Sequence, residues 1–436
     1  MSQPHILLLG AGKSSGSLIE FLHTECKSRN WRCTVADVQV ALVKEKLAPY
    51  PYLVPQSLNL EIEAERIALI EKADLVISLL PPFLQATVGK DCLQLGKHFL
   101  SASYTDPALL ALDTEIKQKN LLFLMEMGLD PGIDHMSALQ LIHRIKDASA
   151  TITGFASHCG GLVAPACDTN RWHYKFSWNP RNVILAGKAG ALFKENGNIQ
   201  QLTYAELFNF RHPVQIDGLG ELATYPNRDS LPYIPIYNLE TAQNFIRTTL
   251  RYPEFCEGWN WLIKLGCTTD DNQIISEGMC YKDYFNLQLS QSQIPPSDIP
   301  LPILQMLKEI GWEDTHRINR KSGSSADILQ EILENKWALQ PGDRDMIVML
   351  HEIYYTQKNR KFLLRSQLIV EGDNEVQTAM AKTVGLPLGI AAILLLEGKI
   401  SIRGLHIPTL PEIYEPVMEA LENKGIQFQE QLIELS

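Results

Sequence analysis

Five short apolar runs constrain the first part of this chain: "HILLLG" at 5–10, "RCTVADV" at 32–38, "ADLVISLL" at 73–80, "KHFLSAS" at 97–103 and "LLFLMEMG" at 121–128. Runs of this kind are apolar on both faces of a strand, which suits a parallel sheet held between layers of helix. Helical spacing fills the gaps between them, as with Leu18, Ile19 and Leu22 in "SLIEFLHTECKS". Strand and helix in alternation imply an α/β unit of the Rossmann type, a doubly wound parallel sheet.

At 436 residues the chain is too long for one compact core. After "GLDPGIDH" the texture changes: 150–255 is rich in aromatics, prolines and turn residues, which predicts a mixed sheet with long loops. Between 256 and about 340 the pattern is helical, with Ile303, Leu304, Leu307 and Ile310 on one face and Ile328, Leu329, Ile332 and Leu333 on another. The expected division is a first domain at 1–128 completed by 385–436, a second α+β domain from 129–255 and 345–384, and a helical insertion at 256–344. The apolar stretch at 384–398 falls short of the roughly 20 residues a membrane span needs and is expected to be a buried helix.

Charge narrows the partners. A net charge of −11 argues against nucleic acid and against an anionic membrane surface. The eight cysteines include no C-x-x-C pair, so neither a zinc site nor a disulfide framework is expected. With no basic leader before "HILLLG", that usage suits a reducing, cytoplasmic setting.

The first run ends in "GAGKSSG", a glycine turn between strand and helix. Such a turn lets backbone amides approach a pyrophosphate at a helix N-terminus. Gly10 would make the turn, Gly12 would allow close approach, and Gly16 comes one residue later than in the usual triad. Lys13, Ser14 and Ser15 complete the candidate cofactor loop. Asp37 ends the second strand 21 residues after Gly16 (37 − 16), where an acid can bind the adenosine ribose hydroxyls. The loose glycine spacing hints at NADP, whereas a carboxylate would repel its 2′-phosphate. The expectation is therefore NAD, with NADP as the alternative.

Eight tracts then occur in order along the chain: "ASYTDP" at 102, "GLDPGIDH" at 128, "HCGGLVAP" at 158, "YKFSW" at 174, "YPNRDS" at 225, "RTTLRY" at 247, "AMAKTVGLP" at 379 and "IPTLPEIYEP" at 407. Together they resemble saccharopine dehydrogenases of the glutamate-forming type, over essentially the whole chain. The resemblance implies a dehydrogenase acting on a CH–NH donor in lysine metabolism. Saccharopine loses hydride from the former lysine ε-carbon, and water opens the resulting imine to glutamate and 2-aminoadipate 6-semialdehyde. It also implies a homodimer formed through the second domain.

That chemistry needs a base for the amine, proton shuttling for water addition, and donors for three carboxylates. The resemblance places Tyr104, Asp130 and Cys159 in the substrate pocket. Asp130 is expected to take the amine proton or to pair with the protonated amine, and Tyr104 to donate or relay a proton. It further implies substrate contacts from Ser103, Arg228, Thr248, Thr249 and Leu250, and nicotinamide contacts from Leu80, Pro81 and Ala102. His135 and His158 are secondary acid–base candidates. Arg171, Lys175, Arg181 and Lys188 form a basic run without Asp or Glu, which would suit an anionic amino-acid substrate. Pro82 stands where the family more often has an aromatic, and Val163 and Ala166 interrupt the usual "LPAPE" opening. The alternatives are a carboxynorspermidine dehydrogenase, whose pocket should hold fewer arginines, and a non-catalytic dinucleotide-binding protein.

Overall fold

The computed structural model describes residues 3–210 and 212–436, and it divides into two compact units. One comprises 1–149 with 372–428, the other 150–371 with 429–436.

The first unit is built on a parallel sheet. Its strands are β1 (His5–Leu9), β2 (Arg32–Asp37), β3 (Val54–Ser57), β4 (Leu75–Ser78), β5 (His98–Ser101) and β6 (Leu122–Leu124). The spatial order is β6-β5-β4-β1-β2-β3, with the short strand Gly404–His406 added beside β6. All these pairs are parallel. Every residue of β1 is buried, as its unbroken apolar run requires. Leu7 and Leu9 join Val76, Phe99 and Phe123 in one apolar layer, each such side chain contributing about 1.5–3 kcal/mol by burial.

Two helices lie side by side against this sheet. Helix α1 (Gly16–Arg29) packs on the helix Ala379–Leu396 at two glycines. A Cβ on Gly385 would stand 2.9 Å from Leu18 Cβ, and one on Gly389 would stand 2.5 Å from Phe21 Cδ1. The apolar stretch near 384–398 is therefore a buried helix of the first unit, longer than the run that announced it, and most of it is covered by protein.

The second unit holds the mixed sheet. Its path runs Val214–Ile216, Gly220–Pro226, Asn244–Arg251, Thr151–Val163, Asp345–Gln357, Arg360–Glu371 and Gln429–Leu435. Asn244–Arg251 and Thr151–Val163 pair in parallel, and the other neighbours on this path are antiparallel. The long hairpin turns at Lys358 and Asn359, both with positive φ (48° and 64°), as a tight two-residue connection demands. The helices Pro253–Lys264, Tyr281–Ser292, Leu301–Glu309 and Ser325–Lys336 supply the helical segment. They enclose an aromatic core with Trp172, Tyr174, Phe176, Trp259 and Trp337.

The boundaries differ from those expected at 128 and 385. The helix Ile133–Asp147 stays with the first unit, and a cut at 385 would sever the helix Ala379–Leu396, whose glycines seat it on α1. The C-terminal Gln429–Leu435 leaves the first unit altogether, because its backbone pairs with Arg360–Glu371 from Lys361↔Leu435 to Gln367↔Gln429. Backbone pairing of this range has no signature in local apolar texture.

Candidate active site

In a parallel sheet of this kind ligands bind beyond the carboxyl ends of the strands. The turn after β1 has the features of a dinucleotide loop. Gly10 adopts φ +94°, and a Cβ there would meet the Leu79 carbonyl oxygen, in the turn after β4, at 3.1 Å. Gly12 has open space where a Cβ would be, so its backbone is approachable. Lys13–Ser15 form a single 3-10 turn before α1 begins at Gly16. The extra residue is thus spent on the helix entry. Gly16 itself makes room for another chain segment: a Cβ would lie 2.7 Å from the Val376 carbonyl oxygen. Ser17 Oγ then donates to Gln377 Oε1 at 2.8 Å.

Lys46 holds the loop from beneath. Its Nζ donates to the carbonyls of Ala11 and Gly12, each at 2.6 Å. Because a trans peptide points its C=O and N–H in opposite directions, pinning those two carbonyls turns the Gly12 and Lys13 amides the other way. Asp37 completes the frame: Oδ2 accepts from Ala11 N at 2.9 Å and Oδ1 from Gln39 N at 3.1 Å. Both oxygens of the acid on which the NAD expectation rested thus also brace the turn, and each keeps a lone pair for a further donor. Leu80 and Pro81 stand at the start of the helix Pro82–Leu95, where Leu80 O accepts from Gln85 Nε2 at 2.8 Å.

Beyond β5 and β6 the structure brings together two of the predicted residues. Tyr104 OH reaches Asp130 Oδ1 at 3.4 Å, and both side chains are partly exposed. Ala102 lies where Gly128 crosses it, with a Cβ on Gly128 only 3.0 Å from Ala102 Cβ. Ser103 N donates to Ser101 Oγ at 3.1 Å, and the peptide bond between Asp130 and Pro131 is cis. A carboxylate beside a phenol can take up a proton and pass it on, and such contacts often tighten only once substrate is bound.

The predicted residues of the second unit separate by strand alternation. Thr249 pairs with Cys159 across the parallel ladder, whereas Thr248 pairs with His158, so the two threonines face opposite sides of the sheet. On one side His158 Nδ1 lies 2.7 Å from Thr248 Oγ1, and His158 Nε2 lies 3.6 Å from Glu352 Oε2. Leu250 also lies on that side, fully buried in an apolar cluster with Leu162, Val348 and Leu350. Its side chain is core, so the expected substrate contact by Leu250 would have to come from its backbone. Arg228 is exposed in a left-handed turn (φ 57°), with its carbonyl accepting from Leu192 N at 3.1 Å.

On the Cys159 side stands a residue that sequence reasoning passed over. Arg251, only 3% exposed, forms no ion pair among the described residues. Its guanidinium lies over Tyr174 and Phe255, with centroids at 5.1 and 5.3 Å, and donates to Leu250 O at 2.7 Å. Its Nε is buried without a hydrogen-bond partner among the described residues. Burial pushes the neighbouring Tyr225 phenol up, while Arg251 pulls it down. A buried guanidinium with a donor to spare can pair with a carboxylate that reaches it. The "TTLR" tract contained it, two places after the threonine that shares its face.

The basic run, by contrast, is no anion site. Arg171 pairs with Glu309 at 3.1 Å, Lys175 with Asp343 at 2.7 Å, Arg181 with Asp327 at 2.9 Å and Lys188 with Asp270 at 2.8 Å. All four acids come from distant parts of the same unit. The local excess in sequence is neutralised in space.

Comparison with known proteins agrees with this geometry. Residues 6–124 match the family model "Saccharopine dehydrogenase NADP binding domain", and 128–426 match "Saccharopine dehydrogenase C-terminal domain". The saccharopine dehydrogenase [NADP(+), L-glutamate-forming] of Pyricularia oryzae is 31% identical over 453 residues, covering 99% of this chain and 100% of that protein. The mitochondrial alpha-aminoadipic semialdehyde synthase of Bos taurus is 32% identical over 97% of this chain, which spans 47% of that longer protein. The solved apo saccharopine dehydrogenase (L-Glu forming) of Saccharomyces cerevisiae superposes with a TM-score of 0.87 at 29% identity, covering 99% of this chain and 100% of that one. With its glycine loop, its Tyr104–Asp130 pair and matches along nearly its whole length, this chain belongs to the saccharopine dehydrogenase family of oxidoreductases.

Proposed function

We propose that the protein interconverts saccharopine and water with L-glutamate and 2-aminoadipate 6-semialdehyde, using NADP(H). The observation that carries the reading is the Tyr104–Asp130 pair, at the carboxyl edge of a sheet whose first turn is a dinucleotide loop. When bound, the nicotinamide supplies the acceptor or donor of hydride. Asp130 takes the proton from the substrate's secondary amine, and Tyr104 exchanges it, so that the amine is neutral when its carbon is oxidised. The same pair serves water addition to the imine and collapse of the carbinolamine, where a proton must move from oxygen to nitrogen. The substrate's carboxylates call for cations, and the second unit offers the buried Arg251 and the exposed Arg228. Cys159, buried beside Thr249, needs no covalent role, because hydride transfer requires no nucleophile.

NADP is favoured over NAD on two grounds. The Pyricularia oryzae relative is named for NADP(+), and residues 6–124 match a family model named for NADP binding. A homodimer accords with the resemblance and a cytoplasmic setting with the cysteine usage, and both form part of the proposal. The test is absorbance at 340 nm with saccharopine and with carboxynorspermidine, each supplied with NADP and NAD. Turnover of saccharopine with NADP is the expected result; turnover of carboxynorspermidine alone, or of neither, overturns the reading.

A further inference from the structure

We infer that Glu126 and His135 are positioning residues, a buried hydrogen-bonded brace that fixes the two arms carrying Tyr104 and Asp130. The inference rests on the reading that this tyrosine and this aspartate are the reacting end of the site.

Glu126 is only 4% exposed and occupies the left-handed region with φ 57°, a conformation that non-glycine residues rarely adopt without a reason. The reason lies in what the backbone and the carboxylate hold. Its N–H donates to Ser103 O at 3.0 Å, tying the chain after β6 to the chain after β5. Oε1 accepts from Thr105 N at 3.0 Å and from Thr105 Oγ1 at 2.9 Å. Ser103 and Thr105, the two neighbours of Tyr104, are therefore both anchored on one residue.

The other carboxylate oxygen secures the second arm. Oε2 lies 3.0 Å from His135 Nε2, in the first turn of the helix Ile133–Asp147, and His135 is wholly buried. Asp130 lies in the short loop leading into that helix. The loop is closed by Gly128 N to Pro131 O, Ile133 N to Gly128 O, and Gly132 N to Asp134 Oδ1 at 2.6 Å. The first turn of the helix thus carries the loop, and Glu126 holds that turn.

Burial pushes the Glu126 carboxyl up, but His135 and Thr105 more than offset it, so the group is held below the usual carboxylate range. A structural brace alone could be neutral. The Tyr104–Asp130 separation of 3.4 Å is at the long end of a hydrogen bond, so small shifts of either arm decide whether a proton can pass. A displacement of about 1 Å at such a point can cost 10²-fold in rate.

The test uses Glu126→Gln, Glu126→Ala and Thr105→Val in the full-length protein, with the ¹³Cζ resonance of Tyr104 as a readout that needs no turnover. That resonance is assigned by Tyr104→Phe. Glu126→Ala should move the Tyr104 resonance and lower kcat by about 10²-fold, while the Kd for NADPH stays within about twofold. Glu126→Gln should lose less, because its amide oxygen still accepts from Thr105, and Thr105→Val should produce a smaller shift of the same resonance. An unmoved Tyr104 resonance in a folded variant overturns the inference, as does an NADPH affinity that falls in step with kcat. If Glu126→Ala does not fold, the Gln and Val variants decide. If the wild-type protein leaves saccharopine untouched, the functional reading falls, while the Tyr104 resonance still settles whether the brace exists.

Discussion

Replacing Arg251 by methionine separates a substrate-binding cation from a structural one. Methionine keeps most of the side-chain volume against Tyr174 and Phe255 and removes the charge. In the free protein the guanidinium gains one carbonyl hydrogen bond, worth about 1.5–3 kcal/mol, and ring contacts of about 0.5–2 kcal/mol each. Against these stands a desolvation cost of several kcal/mol for a cation with no ion pair and no partner for its Nε among the described residues. The two sides nearly cancel, so stability should change by about 1 kcal/mol or less, a Tm shift of roughly 2–4 °C. Binding is different, because only the bound carboxylate pairs with the buried charge. Losing a charge-assisted bond of about 2–3 kcal/mol should raise the saccharopine KM roughly 30- to 150-fold. Thermal melts with and without saccharopine measure the first quantity, and initial rates at saturating NADP measure the second. The wild-type melt should rise with saccharopine and that of Arg251→Met should not. A melt lowered by 10 °C with an unchanged KM would refute the reasoning and make Arg251 a core anchor.

Three further outcomes are expected. Gly16→Ala should lower stability by about 1–3 kcal/mol, since its Cβ would meet the Val376 oxygen at 2.7 Å, whereas Gly12→Ala, with nothing in its way, should melt like wild type yet bind NADPH at least tenfold more weakly; equal melts for the two, or intact affinity in Gly12→Ala, would contradict this. NADP should give a higher kcat/KM than NAD, and Lys46→Met should raise the NADPH Kd about tenfold without touching the saccharopine KM; the order is wrong if NAD is the better substrate. Burial, aided by Arg403, lowers His98 to about 4, and its Nδ1 accepts from Leu122 N at 3.0 Å, a bond only the neutral ring can make. A depressed histidine means that the unfolded chain binds more protons, so stability should be full above pH 6.5 and fall progressively toward pH 4. His98→Asn should flatten that slope in denaturant melts, and an unchanged slope removes His98 from the account.

The parts legible in the sequence are those set by neighbours along the chain. The runs from "HILLLG" to "LLFLMEMG" predict β1, β2, β4, β5 and β6 because a strand buried on both faces is apolar residue by residue. The helices at 301–309 and 325–336 follow from periodicity in the same way. Tyr104 and Asp130 were visible through their tracts, each fixed to the end of a strand that the pattern already located.

What only the tertiary structure decided concerns residues far apart in sequence. Gly16 is a glycine because of Val376, and the last strand joins the second unit because of Arg360–Glu371. Asp37, read from the sequence as a ribose acceptor, also braces the loop through Ala11 N and Gln39 N. The basic run from Arg171 to Lys188 looked like an anion site until four remote acids neutralised it, while Arg251, unremarked in its tract, is a buried cation with no ion pair among the described residues. A sequence states which charges a chain carries. Which of them remain unpaired depends on what the fold brings within hydrogen-bond reach, and that is where a substrate can bind.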